Sequence, residues 1–301
     1  MPILDSFKSL FASSSAKKGR SRRVNVRERF ELLREAVSGT MSKFYMAKDR
    51  ESDKIVGLKI LDKKKNDAFE ERFKGLKKPR EGVIATSFSH PNIVETFEHG
   101  QTTNDEYFLV MEFVDGPGLN SLLYSEQNKI LNGQRVIAIR HIAEALKAVH
   151  EAGYIHRDIC PRNIMLDKAS GKVKLIDFGL TLPAKPEFMQ EGNRTGNPNY
   201  MAPEIIRRKK TSPRVDVFAF GVTAYEICTS ELPWSRGLTG AAAMDHATKL
   251  PTDIRKVKPD IHPKLASAIH WCLQQDVKER CPDMEAFLLK VRSLTSDIAK
   301  K

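Results

Sequence analysis

Two acids and one amide, each placed against a short apolar run, constrain this chain most. The octet His156-Arg157-Asp158-Ile159-Cys160-Pro161-Arg162-Asn163 leads into Ile164-Met165-Leu166, and eleven residues beyond that run stands Asp177-Phe178-Gly179, preceded by Val173-Lys174-Leu175-Ile176. Short β-rich runs bounded by turn formers read as strands. The two runs therefore predict a small hairpin with Asp158 and Asn163 at its entrance and Asp177 at its exit. Two carboxylates and a carboxamide are the hard oxygen donors that a magnesium-bound nucleotide requires.

The order of elements around that hairpin predicts two parts. From Arg29 onward, Phe30-Glu31-Leu32-Leu33, Lys43 to Ala47 and Lys54 to Leu61 read as strands separated by turns at Ser38-Gly39-Thr40 and Asp49 to Asp53. Residues 67 to 89 read as helical, with Gly82 a weak point, and His90-Pro91-Asn92 ends them. Ile93 to Phe97 and Tyr107 to Met111 read as a further hairpin. Asp115-Gly116-Pro117-Gly118 reads as an interior linker, after which 134–150, 216–230, 263–275 and 284–295 carry apolar residues at helical spacing. The expectation is an α+β fold, strand-rich first and helix-rich second, with the site in a cleft between the two parts.

Charge and cysteine usage bound the setting. Eight of the cations in residues 1–29 face only two acids there, in a chain of net charge +12. Residues 1–11 place Ile3, Leu4, Phe7, Leu10 and Phe11 on one helical face, followed by the basic, serine-rich stretch 13–23. This segment reads as a disordered or self-docking tail, with weak contact to an anionic membrane through residues 1–24 as the alternative. The runs Lys63-Lys64-Lys65, Lys77-Lys78-Pro79-Arg80 and Arg207-Arg208-Lys209-Lys210 read as solvated faces, and no sequence-specific nucleic-acid partner is expected. Cys160, Cys228, Cys272 and Cys281 lie too far apart in sequence for a CxxC pattern. A soluble, cytoplasmic protein without a zinc site or disulfide framework is expected.

In this setting the motifs resemble those of the protein kinases over residues 29–295. His156-Arg157-Asp158 with Asn163 resembles the catalytic loop, Asp177-Phe178-Gly179 the metal motif, and Met201-Ala202-Pro203-Glu204 the end of the activation segment. Val56-Gly57-Leu58-Lys59 resembles the third-strand lysine motif, and Glu81, nine residues before His90, stands at the helix-glutamate position. The resemblance implies a bilobal fold: a tail at 1–28, a small lobe at 29–113 with antiparallel sheet and helix, a mainly helical large lobe at 114–295, and a C-terminal tail at 296–301. It implies ATP and Mg²⁺ as cofactors and a protein as substrate.

The resemblance also assigns roles. Asp158 would orient the substrate hydroxyl, Asn163 and Asp177 would bind magnesium, and Lys59, fixed by Glu81, would hold the α and β phosphates. Val37, Gly39, Phe44, Gly57, Met111, Glu112, Val114 and Met165 would line the nucleotide site. His156 resembles a packing residue, Arg280 would pair with Glu204, and Thr195, before Thr181, is the hydroxyl expected to carry an activating phosphate.

Departures from the family pattern shape the expected activity. In the flap Val37-Ser38-Gly39-Thr40-Met41-Ser42-Lys43-Phe44 one glycine stands where the family has three, and a positive φ at β-branched Val37 would cost about 1–2 kcal/mol. A stiff hairpin with a weaker nucleotide grip is expected. Phe44 and Gly57 replace the usual valine and alanine, a pair of compensating volumes. Cys160 stands where serine/threonine kinases carry a lysine, and Arg162 is expected to supply the missing cation; Cys160 reads as an inert filler before a redox-sensitive thiol. Gly196 to Glu204 resembles the serine/threonine form of the peptide loop. The expected activity is ATP-dependent transfer to Ser/Thr hydroxyls; the alternative is a nucleotide-binding pseudokinase acting as a scaffold, for which the flap, Cys160, Ala85 and Thr96 speak.

Overall fold

The computed structural model describes residues 23–38, 41–193, 195–237 and 243–299. The helix and most of the basic linker expected in residues 1–22, and the flap tip at Gly39 and Thr40, lie outside them. Contacts divide the chain into two compact units, Met1–Ser89 with Val94–Val114, and His90–Ile93 with Asp115–Lys301.

The first unit is built on a five-stranded antiparallel sheet. A helical turn, α1 (Val26–Arg29), leads into β1 (Phe30–Ser38), β2 (Ser42–Asp49) and β3 (Lys54–Leu61), and β4 (Thr96–Gln101) and β5 (Tyr107–Glu112) complete the order β1-β2-β3-β5-β4. One face carries Phe30, Ala47, Val56, Leu58, Phe108 and Val110, all buried, with the rings of Phe30 and Phe108 edge-on at 6.5 Å. Side chains alternate across a strand, so these positions form a single apolar layer.

Four expectations for this unit change. The tail to residue 28 is part of the fold from Val24, which bridges Thr102. Arg29 anchors it, through Asp49 at 3.2 Å and Glu98 at 2.8 Å. Burial alone would lower the pKa of Arg29, yet the bonds to Glu98 and Asp49 raise it, so the cation is held charged. Second, the helical stretch expected at 67–89 is two short helices, α2 (Lys63–Glu71) and α3 (Glu81–Ala85). Asp62 caps α2 by accepting from Lys65 N at 3.0 Å. Pro79, which lacks an N–H and disfavours helix in the residue before it, separates the two. Gly82 is no weak point: a Cβ there would lie 2.5 Å from His99 Cβ, so its smallness lets α3 approach β4. Third, Lys78 is not solvated, being paired with Glu70 at 2.8 Å with its side chain 3% exposed. Fourth, the strand expected from Ile93 begins at Thr96, because Ile93 bridges Leu175 and belongs to the second unit.

The second unit is mainly helical: α4 (Leu119–Leu123), α5 (Arg135–Glu151), α6 (Pro203–Ile206), α7 (Arg214–Thr229), α8 (Asp245–Thr248), α9 (Ile254–Val257), α10 (Pro263–Cys272) and α11 (Met284–Val291). Residues from Val215 to Cys228 of α7 are all buried. A helix apolar on every side belongs in a core, and α5 and α10 pack on it. Small ladders join β6 (Tyr154–Ile155) to β9 (Leu182–Pro183), and β7 (Ile164–Leu166) to β8 (Val173–Leu175), the latter being the expected hairpin with Ile164 opposite Leu175. Residues 296–299, expected as a tail, pack instead: Ile298 bridges Ile261, His262 N donates to Asp297 O at 2.8 Å, and Asp297 is buried.

Candidate active site

The first unit positions one group of the expected residues. Lys59 on β3 and Glu81 on α3 meet at 2.5 Å, with side chains 6% and 8% exposed. A break in one partner of a pair so little hydrated leaves an uncompensated buried charge, so the pair fixes the lysine. Phe44 and Met46 of β2 face Lys59 and Gly57 of β3 in register. A Cβ built on Gly57 would lie 2.7 Å from Phe44 Cζ, 3.0 Å from Met111 Cγ and 3.2 Å from Glu112 O. The Phe44 ring therefore fills the space an alanine methyl would take. Met111 and Val114 are buried. Glu112 donates its N–H to Glu95 O at 2.9 Å while its carboxylate accepts from Glu95 N at 2.9 Å, which fixes the main chain there. Val37 is a strand residue opposite Phe44, beside a register shift after Glu35, so it incurs no left-handed strain. Gly39 lies outside the described residues.

The second unit positions the other group. Asp216, fully buried on α7, accepts from His156 N and Arg157 N, both at 2.7 Å, and bonds His150 Nε2 at 2.9 Å. Burial alone would raise its pKa, yet the bonds to His150 and the octet's N–H groups hold it below the ordinary carboxylate range. This grip sustains a positive φ of 69° at Arg157, a conformation uncommon for a residue with a Cβ. The His156 ring is buried edge-on against Phe178 at 5.4 Å, and burial lowers its pKa, so it is a neutral packing group.

Asn163, at the end of a short 3-10 turn begun by Pro161, donates from Nδ2 to Asp158 O at 2.8 Å and to Asp158 Oδ2 at 2.7 Å. Burial and the charge of Asp177 raise the pKa of Asp158. Arg162, with its side chain 57% exposed, stands 3.6 Å from Asp158 Oδ2. Asp177 Oδ1 accepts from Gly179 N at 2.8 Å, and Ile176 N donates to Asn163 O at 3.0 Å, so the hairpin ties Asp177 to Asn163. Met165 lies opposite Lys174 and bridges Gly118. Cys160 is buried, and burial followed by the charge of Asp158 pushes its thiol up to about 12. It remains protonated at neutral pH, an inert filler.

In the segment beyond Asp177, Thr181 is fully buried with its hydroxyl against His156 O, and so is no accessible hydroxyl. Thr195 bonds Asn193 Oδ1 at 3.1 Å, while Arg157 Nη2 donates to Asn193 O at 3.0 Å. Arg280 grips Glu204 bidentately at 2.7 and 2.9 Å, as expected. A cluster that sequence reasoning missed lies beside it. Glu226, buried on α7, accepts from Tyr200 Oη at 2.5 Å and Arg236 Nη2 at 2.9 Å, and also bonds Tyr124 Oη. A lone acid within the apolar run Phe218 to Cys228 was its signal, since a buried carboxylate requires partners. It ties Tyr200, in the segment that leads to Glu204, to the core.

The donor set suits a hard divalent cation. Asn163 spends its Nδ2 on Asp158, which leaves its side-chain carbonyl oxygen uncommitted to that bond, and burial together with the charge of Asp177 raises the pKa of Asp158, a strain that a nearby cation would relieve.

Comparison with known proteins agrees. The model of the protein kinase domain matches residues 30–289. The chain is 29% identical over 274 residues to a probable serine/threonine-protein kinase PknB of Lactococcus lactis, covering 89% of this chain and 42% of that protein. It is 29% identical to the serine/threonine-protein kinase PrkC of Bacillus subtilis, over 86% of this chain and 40% of the relative. It is 33% identical to the hormonally up-regulated neu tumor-associated kinase homolog B of Xenopus laevis, over 75% and 35%. The chain thus spans less than half the length of each of these relatives. With its motifs in order and the family model matched along most of its length, the chain belongs to the protein kinase domain family.

Proposed function

We propose that the chain transfers the γ-phosphoryl group of magnesium-bound ATP to serine or threonine hydroxyls of a protein substrate. The observation that carries this reading is the double bond from Asn163 Nδ2 to the main chain and carboxylate of Asp158, which holds the acid of the octet in one orientation. Phosphoryl transfer asks little covalent work of a protein, so positioning and charge compensation dominate. Asp177 and the side-chain carbonyl of Asn163 are the residues that would hold magnesium, which would supply charge compensation for the phosphates. Asp158 orients the hydroxyl and takes up its proton, Lys59 engages the α and β phosphates, and Arg162 offsets charge beside Asp158. The likeness to bacterial serine/threonine-protein kinases, and a peptide loop with Tyr200 anchored on Glu226, support Ser/Thr over Tyr. Four buried, free cysteines support a reducing, cytoplasmic setting.

A pseudokinase is the second reading, favoured by Thr96, whose buried Oγ1 has no partner among the described residues at a position the family fills with an apolar side chain. One experiment separates them. Purified protein is incubated with Mg-ATP and phosphosites are mapped by mass spectrometry. Phosphate on Ser or Thr that disappears in Asp158→Asn is expected; bound nucleotide without phosphorylation in either protein supports the pseudokinase instead.

A further inference from the structure

The segment that runs from Tyr200 into α6 is anchored at both ends by side chains, Tyr200 on Glu226 and Glu204 on Arg280. Between those anchors its main chain is held by His246 of α8, whose Nδ1 lies 2.8 Å from Met201 O. A carbonyl oxygen only accepts, so Nδ1 carries the proton. The ring packs against Trp234 at 4.5 Å and Phe218 at 5.7 Å between centroids, and burial lowers its pKa, so it is a neutral group with a fixed plane. Trp234 donates from Nε1 to Lys249 O at 3.0 Å, which secures the residue that follows α8. Met201 in turn reaches the octet: with Arg157, Asp158, Thr195, Gly196 and Tyr200 it lines one narrow cavity. Gly196 crosses the octet closely, since a Cβ there would lie 3.0 Å from Arg157 O. A shift of the main chain at Met201 therefore moves a wall beside the acid.

We propose that His246 is a positioning residue for the polypeptide substrate: by holding Met201 O it sets the wall of the cavity in which Asp158 meets the substrate hydroxyl. This rests on the phosphotransferase reading above. Without the donor, Met201 O belongs to a residue only 7% exposed and becomes an acceptor with little access to water. Leaving it unpaired costs its full desolvation, and pairing it again requires the main chain to move. The loss should fall on the polypeptide and spare the nucleotide, because the partners of the ring are Met201, Phe218 and Trp234, whereas Asn163 and Asp177 are tied to each other through the hairpin. Packing alone does not call for a histidine here, since an apolar ring would fill the place beside Trp234 and Phe218 without burying polar nitrogens.

The test compares the wild type, His246→Phe and His246→Asn in the full chain. Phenylalanine keeps a flat ring and removes the donor; asparagine gives up the ring and keeps an N–H donor at the same remove from the main chain as Nδ1. Phosphorylation of dephosphorylated casein by Mg-ATP is followed with each substrate varied in turn. His246→Phe is expected to raise KM for casein about tenfold, the scale of one buried hydrogen bond, with KM for ATP within about twofold. His246→Asn should recover most of that loss. Hydrogen–deuterium exchange in residues 196–203 should rise in His246→Phe and fall back in His246→Asn. A His246→Phe protein with the wild-type KM for casein, or a His246→Asn protein worse than it in both readouts, makes the ring a packing group and overturns the proposal. An equal rise in both KM values overturns it as well. If the wild type phosphorylates neither casein nor itself while exchange still follows the donor, the phosphotransferase reading fails and the hold on Met201 stands; equal exchange in all three proteins overturns the hold itself.

Discussion

Phe44 and Gly57 offer a stringent test because the structure states their conflict as a distance. A methyl at Gly57 would lie 2.7 Å from Phe44 Cζ, about 1 Å inside ordinary carbon–carbon contact. Overpacking of this kind costs about 1–3 kcal/mol. Two other contacts are less severe: Met111 Cγ at 3.0 Å belongs to a flexible chain, and Glu112 O at 3.2 Å is main chain and yields little. Gly57→Ala alone should therefore destabilise the protein by about 1–3 kcal/mol, and in the Phe44→Val background by about 0.5 kcal/mol or less. The coupling between the two, about 1–2 kcal/mol, lies beyond the roughly 0.3–0.5 kcal/mol scatter of independent sites. Thermal melts of the four proteins measure it, at about 2–4 °C per kcal/mol for a chain of this size or larger shifts for a smaller cooperative unit. Nucleotide titrations of the same set should show Phe44→Val binding more weakly than Phe44→Val, Gly57→Ala, because the second methyl refills the space the ring vacated. If Gly57→Ala costs the same in both backgrounds, or the two variants bind nucleotide equally, the compensation does not exist.

Three further outcomes follow from other parts of the molecule. Arg162→Ala should lower the phosphorylation rate about 100-fold or more while leaving ATP affinity within a factor of two or so, as expected for a lost electrostatic contact to the reacting groups; an active variant removes Arg162 from the mechanism. Glu204→Gln should cost about 3 kcal/mol, the lower end for breaking a buried pair, because Arg280 keeps the carbonyls of Gln274 and Arg214; a melting temperature unchanged within error would refute it. Asp216 has a folded pKa below its unfolded one, so its stabilisation is present above the ordinary carboxylate range and is lost as pH falls through the depressed value; Asp216→Asn should melt lower at neutral pH and show a flatter acid limb, and parallel limbs would count against the linkage.

The strands and the hairpin were legible because they rest on local pattern. Lys54 to Leu61 and Ile164 to Leu166 carry β-rich runs bounded by turns, and the structure places strands there. What was not legible depended on partners distant in sequence. Nothing near Val24 announces Thr102, and nothing near Arg29 announces Asp49 and Glu98, so the residues just before Arg29 read as tail. Lys78 sits in a cationic run, yet its partner Glu70 is in the preceding helix, and its burial is decided there. Pro79 was visible in the sequence, but the mixed pattern on either side masked its effect until the two helices were seen apart. Among the site residues, the pairing of Glu204 with Arg280 could be expected from the motifs, whereas the cluster on Glu226 required Tyr124 and Arg236, which no motif names.

The octet shows why departures in sequence need not be departures in scaffold. Its main chain is fixed from outside by Asp216, and its acid is fixed from inside by Asn163; neither contact involves the side chain at position 160. Cys160 can therefore replace a lysine there and be absorbed as packing. What changes is the charge beside Asp158. With burial and Asp177 raising its pKa, and the bond from Asn163 and the charge of Arg162 opposing them, the acid stands in a balance in which an exposed arginine takes part. Under the proposed function, the charge around Asp158 bears on the rate of transfer. A change in it should leave folding and the Lys59–Glu81 pair untouched, which lie in contacts the cysteine does not make.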